Sequence, residues 1–147
     1  MMLYYDTSYL VKCYLNERGS REVRSLLEGD VQAACLEYGR VELAAALHRH
    51  MREGRLTRTQ YRIVCSQAED DDNAHVWTWL PLSRAVLGVA QGAFARMPRT
   101  AFLRSADALH LAAAAEYGFR EIYTHDAHML AAAHVFGVRG VDVLERS

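Results

Sequence analysis

Four acidic side chains stand where a folded chain could bring carboxylates together. Asp6 and Asp126 each follow a short apolar segment, Asp107 lies in the first turn of an alanine-rich segment, and Glu42 lies beside the apolar face of a long helical pattern. Oxygen donors without cysteine ligands favour Mg²⁺ or Mn²⁺. Such ions lower the pKa of a bound water and stabilise charge on a phosphate. A converged set would therefore suit phosphodiester hydrolysis.

Each of these acids also has an ordinary structural explanation. Asp6 and Asp126 could cap the helices that follow them. Asp107 could complement the partial positive charge of a helix start, and Glu42 could be a surface glutamate. Their joint placement is more informative than any one of them, and the residues alone support only a possible acidic site.

The elements that must position these acids alternate between strands and helices. The hydrophobic periodicity predicts strands over 3–5, 30–35, 75–82, 121–124 and 138–144. It predicts helices over 7–17, 20–28, 36–53, 57–70, 83–94, 105–117 and 126–135. This alternation predicts an α/β fold with a mainly parallel sheet of four to five strands between helices. Asp6 and Asp126 would then follow strands that end at the same edge of the sheet.

Composition limits the remaining possibilities. At 147 residues and 51% hydrophobic content, we expect a single domain over 1–147 with a substantial core. The 17 basic and 18 acidic residues nearly cancel, which argues against bulk electrostatic binding of nucleic acid but allows a local site. The three cysteines lack metal-ligand spacing, so we expect free thiols in a reducing cytoplasm. No apolar run predicts a signal peptide or a membrane span.

Four segments together resemble a PIN-domain ribonuclease, and more closely a VapC-type toxin of a toxin–antitoxin pair. They match the family in order and spacing over nearly the whole chain. The segments are 5–12 (YDTSYLVK), 41–43 (VEL), 104–112 (RSADALHLA) and 124–130 (THDAHML).

The resemblance implies a PIN-like three-layer fold and a metal-dependent endoribonuclease. By this resemblance the quartet binds Mg²⁺ or Mn²⁺ and directs water at an RNA phosphodiester. Asp6 and Asp107 would be the leading metal ligands, and Glu42 would complete the site or orient the water. Asp126 matches the family's most variable acid. The residues expected to support the quartet by hydrogen bonds are Ser8 and Thr124, and those expected near RNA phosphates are Arg99 and Arg104.

The resemblance also implies a homodimer and a cognate antitoxin, which places a basic side chain into the acidic pocket. The early helix with Tyr9, Cys13 and Tyr14 is a candidate antitoxin surface, although tyrosines at this spacing are more typical of a core. Trp77 and Trp79 share one strand face, which favours core or dimer packing over stacking on RNA bases.

Other functions remain open from the sequence. The chain could be a PIN nuclease of RNA processing without an antitoxin, or a non-catalytic module whose acidic pocket takes a partner's basic residue. Phosphoryl-aspartate chemistry is disfavoured, because Ser8 stands where a second acid is needed. A zinc site at His125 and His128 lacks a third ligand in register.

Overall fold

The fold is a five-stranded parallel sheet between two layers of helices. The computed structural model describes residues 1–146. The strands are β1 (Met2–Tyr5), β2 (Gln32–Leu36), β3 (Trp77–Leu80), β4 (Glu121–Tyr123) and β5 (Arg139–Val141), in the spatial order β3-β2-β1-β4-β5. Every neighbouring pair is parallel. The predicted α/β class and the strand number are therefore confirmed.

In the described part of the chain, seven α-helices and two short 3₁₀ helices connect or follow the strands. The α-helices are α1 (Thr7–Tyr14), α2 (Ser20–Ser25), α3 (Gly39–Arg52), α4 (Arg58–Asn73), α5 (Arg84–Arg96), α6 (Ser105–Glu116) and α7 (Ala127–Ala132). The 3₁₀ helices are Ala133–Phe136 and Val143–Arg146. Within residues 1–146, no helix combines the length and apolar character needed to cross a bilayer.

The sheet separates two apolar cores, because successive side chains of a strand point to opposite faces. Tyr4 of β1 packs in one core with Leu111 of α6 and Met129 of α7. Its neighbour Tyr5 packs in the other core with residues of α1 and α3, such as Leu43. The two cores give the three-layer arrangement that the sequence predicted.

The strand order places the functional edge. The chain runs outward from β1 to β2 and β3 on one side, and from β4 to β5 on the other. Parallel sheets of this kind bind ligands beyond the carboxyl ends of the strands at the point where the strand order reverses. That point lies between β1 and β4, which end immediately before Asp6 and Thr124.

Several predicted element ends were wrong for identifiable reasons. The third helix begins at Gly39 rather than 36, because Leu36 still pairs with Leu80 in the sheet. The last strand ends at Val141 rather than 144, because the Asp142 carboxylate accepts the Leu144 N–H and turns the chain. The first two helices and α7 end earlier than predicted, and the third strand covers only its central residues.

The aromatic residues of the early helix belong to the core. Tyr9 and Tyr14 are buried, and the Tyr14 hydroxyl accepts a hydrogen bond from the Trp77 indole at 2.6 Å. An antitoxin surface formed by these tyrosines is therefore wrong, and their interpretation as core residues is confirmed. Trp77 is buried and Trp79 is half-buried against the same core, as their shared face indicated.

Gly39 allows α3 to approach the sheet edge closely, and this gives a stability prediction. A Cβ at Gly39 would lie 2.6 Å from the Cys35 sulfur, whereas a Cβ at Gly88 in α5 would meet open space. Gly39→Ala should lower the free energy of unfolding by about 1–3 kcal/mol through overpacking. Gly88→Ala, the matched control, should raise it by about 0.5–1 kcal/mol through helix propensity. Urea unfolding measures the change in the free energy of unfolding for each variant. Changes of the same sign in the two variants would contradict the packing argument.

Candidate active site

All four predicted acids line one cleft at the carboxyl edge of the sheet. The cleft has a volume of about 610 Å³, and its lining includes Asp6, Glu42, Asp107 and Asp126. They come from the ends of β1 and β4 and from the first turns of α3 and α6. Convergence of four acids from separate elements creates an electronegative centre at the point where the strand order reverses.

Asp6 is the most buried of these acids, with only 3% of its surface exposed. Its Oδ1 accepts hydrogen bonds from the Ser8 hydroxyl at 2.6 Å and from the Tyr9 N–H at 3.1 Å, so Asp6 also caps α1. Its Oδ2 accepts from the Thr124 hydroxyl at 2.5 Å. Burial raises the pKa of the Asp6 carboxyl, and the hydrogen bonds from Ser8 and Thr124 oppose that rise.

The same two hydroxyls fix the turn that carries Asp126. Thr124 Oγ1 accepts the Asp126 N–H at 3.0 Å, and Ser8 Oγ accepts the His125 N–H at 3.1 Å. Asp126 Oδ1 caps α7 by accepting the Met129 N–H at 2.9 Å. The ordinary capping explanation is therefore correct for one oxygen of Asp126, while the other oxygen faces Arg104.

Arg104 joins the acids on the opposite side of the cleft. Its guanidinium lies 3.2 Å from Asp107 Oδ2 and 3.5 Å from Asp126 Oδ2. Burial and the nearby Asp126 charge raise the pKa of the Asp107 carboxyl, and Arg104 opposes the rise. Arg99, in contrast, lies in the turn before this segment and does not contribute to the cleft lining.

Glu42 is held by a residue that sequence reasoning missed. Glu42 Oε1 accepts hydrogen bonds from the Thr7 hydroxyl at 2.9 Å and from His110 Nε2 at 2.5 Å. The His110 ring is buried, and its Nδ1 lies 2.9 Å from the Tyr4 hydroxyl. Burial raises the pKa of Glu42, but the hydrogen bonds from His110 and Thr7 bring it below its ordinary value.

The proton on His110 Nε2 follows from its surroundings. A ring nitrogen at 2.5 Å from a carboxylate oxygen must donate, whether the ring is neutral or charged. A signal for His110 was present in the sequence, because it lies three residues after Asp107 on α6 and is the one polar residue in ALHLAAAA. Its partner on α3 could not be identified without the fold.

Asp142 is a second residue that sequence reasoning missed. It is buried and accepts hydrogen bonds from the Tyr9 hydroxyl at 2.9 Å and from His125 Nδ1 at 2.7 Å. Burial raises the pKa of Asp142, but these hydrogen bonds and the Leu144 N–H bring it below its ordinary value. Asp142 thus braces the turn that carries Asp126, through contacts far apart in sequence.

The cleft suits a hard cation held in an open site. Among the side chains that the structure describes, no three of His, Cys, Asp or Glu are close enough to enclose an ion, and this includes the acid quartet itself. Mg²⁺ and Mn²⁺ prefer carboxylate oxygens, and Mg²⁺ keeps several waters while binding one or two carboxylates and a phosphate. The carboxylate lining of an open cleft meets that requirement.

Comparison with known proteins agrees with this arrangement. The family model described as PIN domain matches residues 3–135. The chain belongs to the PIN-domain family. It is 33% identical over 144 residues to a protein named Ribonuclease VapC47 from Mycobacterium tuberculosis (strain CDC 1551 / Oshkosh), a match that covers 92% of this chain and 93% of that protein. The resemblance to VapC-type PIN domains is thereby confirmed.

Solved structures share the fold at low sequence identity. VapBC2 from Rickettsia felis, bound to a DNA fragment from its promoter, gives a TM-score of 0.68 at 10% identity and covers 97% of this chain and 98% of its own. FitAcB from Neisseria gonorrhoeae gives a TM-score of 0.68 at 16% identity, over 95% and 96% of the two chains. Both cover nearly the full length of this chain, which agrees with its PIN-like α/β fold.

His110 should control divalent-metal affinity through Glu42. His110→Leu removes the donor and should weaken Mn²⁺ binding about 10- to 100-fold, as loss of a ligand's supporting hydrogen bond does in other metal sites. His110→Gln keeps an N–H donor and should retain most of the affinity. In a Glu42→Gln background, His110→Leu should have little further effect. Titration calorimetry measures the Mn²⁺ affinity of the natural chain and of these four variants. Affinity losses from His110→Leu and Glu42→Gln that simply add in the double variant would contradict the coupling.

Asp107 should destabilise the metal-free chain at neutral pH. Its pKa is raised in the folded state, so the ionised form costs stability at pH values above that pKa and the cost disappears as Asp107 becomes protonated. Asp107→Asn should therefore melt at a higher temperature than the natural chain at pH 7 in EDTA, and the gap should narrow toward pH 4. The exposed Asp70→Asn is the control, and a gap that widens on acidification would refute this explanation.

Proposed function

We propose that this chain is a divalent-metal-dependent endoribonuclease that acts as the toxin of a toxin–antitoxin pair. The observation that carries the proposal is the convergence of Asp6, Glu42, Asp107 and Asp126 on one cleft of a PIN-family fold. The near-full-length similarity to a protein named Ribonuclease VapC47 supports RNA as the substrate.

The residues divide the work of hydrolysis in the proposed site. Bound Mg²⁺ or Mn²⁺ would lower the pKa of a water and neutralise charge on the reacting phosphate. Asp6 and Asp107 are the proposed principal metal ligands, with Asp126 as a further ligand on the far wall. Both hydrogen bonds to Glu42 reach Oε1. Oε2 is thus left to bind the metal or to orient the attacking water.

Ser8 and Thr124 are proposed to keep the Asp6 carboxylate in place rather than to bind metal themselves. Each donates to a different oxygen of Asp6, at 2.6 and 2.5 Å. Two fixed hydrogen bonds leave the carboxylate one orientation in the cleft, so an arriving cation meets ligands that are already aligned. Arg104, which is largely exposed, is the proposed contact for an RNA phosphate at the cleft mouth. Arg99 lies outside the lining and remains the weaker candidate.

An antitoxin is the proposed protein partner. Structural neighbours include proteins named VapBC2 and FitAcB, and the first of these is a complex with promoter DNA. In this chain Arg104 already spans Asp107 and Asp126, which demonstrates that a guanidinium fits between these acids. A basic side chain from an antitoxin could neutralise the same carboxylates. We also propose that this chain forms a homodimer and acts in the cytoplasm.

Cleavage of total RNA by the purified chain tests the proposed activity. The reaction should require Mg²⁺ or Mn²⁺, stop with EDTA, and yield discrete fragments. Asp6→Asn should reduce cleavage by at least about 100-fold, because it removes a metal ligand. Asp70→Asn, an exposed acid on α4 away from the cleft, should retain full activity.

The outcomes separate the rival functions. Metal-independent cleavage, or equal cleavage by Asp6→Asn, would refute the metal-dependent mechanism. Inactivity of a chain shown to be free of bound protein would instead favour the binding module with an acidic pocket. Co-expression with the product of the neighbouring gene distinguishes a toxin from a nuclease of RNA processing, because only a toxin should lose activity in the complex.

A further inference from the structure

One face of α3 lines the cleft, and the charge and size of its side chains change along the helix. Glu42, Ala45, Ala46, Arg49 and Arg52 all contribute to the cleft lining. They are spaced i, i+3, i+4, i+7 and i+10, which places them on a single helical face. The opposite face of α3 packs in the core. The cleft lining from α3 therefore has an acid at its start, Ala45 and Ala46 in its middle, and His48 with the two arginines toward its end.

The two arginines are exposed and retain their charge for an external partner. The side chains of Arg49 and Arg52 form no hydrogen bond or ion pair with the side chains that the structure describes. The hydrogen bond from Arg55 lowers the pKa of the Glu53 carboxyl most, and the charges of Arg49 and Arg52 add to that effect. Arg104, the other arginine of the cleft, is already paired with Asp107 and Asp126. The arginine end of α3 is thus the available cationic wall of the cleft.

The spacing along α3 fits successive groups of one polyanion. At a rise of about 1.5 Å per residue, Arg49 lies about 10 Å and Arg52 about 15 Å along the axis from Glu42. Charges along one strand of a DNA duplex are about 3.4 Å apart, and on that scale these distances correspond to about three and four nucleotides. Ala45 and Ala46 present only methyl groups in the middle of this path, and His48, which also lines the cleft, packs its ring against Tyr61.

We propose that Arg49 and Arg52 form a subsite for backbone phosphates of a single-stranded RNA that lies along α3, beyond the phosphate being cleaved. This inference rests on the proposed ribonuclease function and assigns the substrate's direction across the cleft. Arginine is suited to the role because its planar fork can make paired hydrogen bonds to a phosphate. Contacts of this kind position a strand without reading its sequence.

The helix dipole alone does not account for this arrangement. Basic residues near a helix end are stabilising on any face, and the last turn of α3 also carries His50, which is buried and lies 3.7 Å from Glu17. Only Arg49 and Arg52 of that turn line the acidic cleft. Their position in the same cleft as the acid quartet favours an RNA over an acidic protein segment, because a strand cut at the acids must continue along one wall.

Binding of RNA at several salt concentrations tests the subsite. The probes are two short labelled single-stranded RNAs of unrelated sequence, and Asp6→Asn is present in every chain so that the RNA stays intact. Each phosphate contact to a single strand contributes about 0.7 to the slope of log affinity against log salt. The double variant Arg49→Gln with Arg52→Gln should therefore reduce that slope by about 1.4. It should also weaken the binding of both RNAs by the same factor.

Two further chains make the result decisive. Arg58→Gln with Arg62→Gln removes the same charge from exposed positions on α4 outside the cleft lining, and it should leave the slope unchanged. Arg49→Lys with Arg52→Lys keeps the charge and should retain most of the slope. Melting temperatures verify that each variant is folded.

The inference fails if the salt dependence of RNA binding is the same for the Arg49 and Arg52 variant as for the α4 control. An acidic protein partner would then be the better candidate for binding to the two arginines. It also fails if the substitutions weaken the binding of only one of the two RNAs. Failure of the proposed function is distinct, because it appears as missing cleavage by the natural chain, whereas the subsite is measured by binding alone.

Discussion

The buried carboxylate of Asp6 is the constraint on which the site depends. A charge removed from water is costly unless hydrogen bonds replace its hydration. Three donors from the helix start and from the end of β4 supply them: Ser8, the Tyr9 N–H and Thr124. They can do so only because β1 and β4 are adjacent, with carboxyl ends together. The strand order is therefore what makes an ionisable group tolerable at the centre of the sheet edge.

Glu42 and His110 connect the two layers across that edge. Glu42 belongs to α3, which packs on one face of the sheet, and His110 belongs to α6, which packs on the other. Tyr4 holds the ring from the sheet itself and also accepts the Leu36 N–H at 3.1 Å. Because Gly39 lets α3 approach Cys35 closely, a side chain from each layer can meet above the strand ends. The acid in the cleft thus depends on correct packing of both cores.

The sequence predicted what depends on local pattern, and it did not predict what depends on tertiary contacts. The alternation of elements gave the parallel sheet, and the acids after strands and at helix starts indicated a common cleft. The pattern placed Asp142 in a strand. Its contact with Tyr9, 133 positions away in sequence, and its contact with His125 become visible only in the folded chain. His110 resembled a polar interruption of an apolar helix until Glu42 was placed beside it.

Electrostatics explains how a nearly neutral chain can act on a polyanion. With a formal net charge of −1, long-range attraction to RNA is weak, so the local arrangement of charge must decide binding. The acid quartet alone would repel a phosphate. In the proposed function, a cation held by the acids would reverse that field at one end of α3, and Arg49 and Arg52 would supply positive charge at the other. A strand that spanned both ends would then be attracted only where it is also positioned for cleavage, so the proposed subsite would link binding to the reactive geometry.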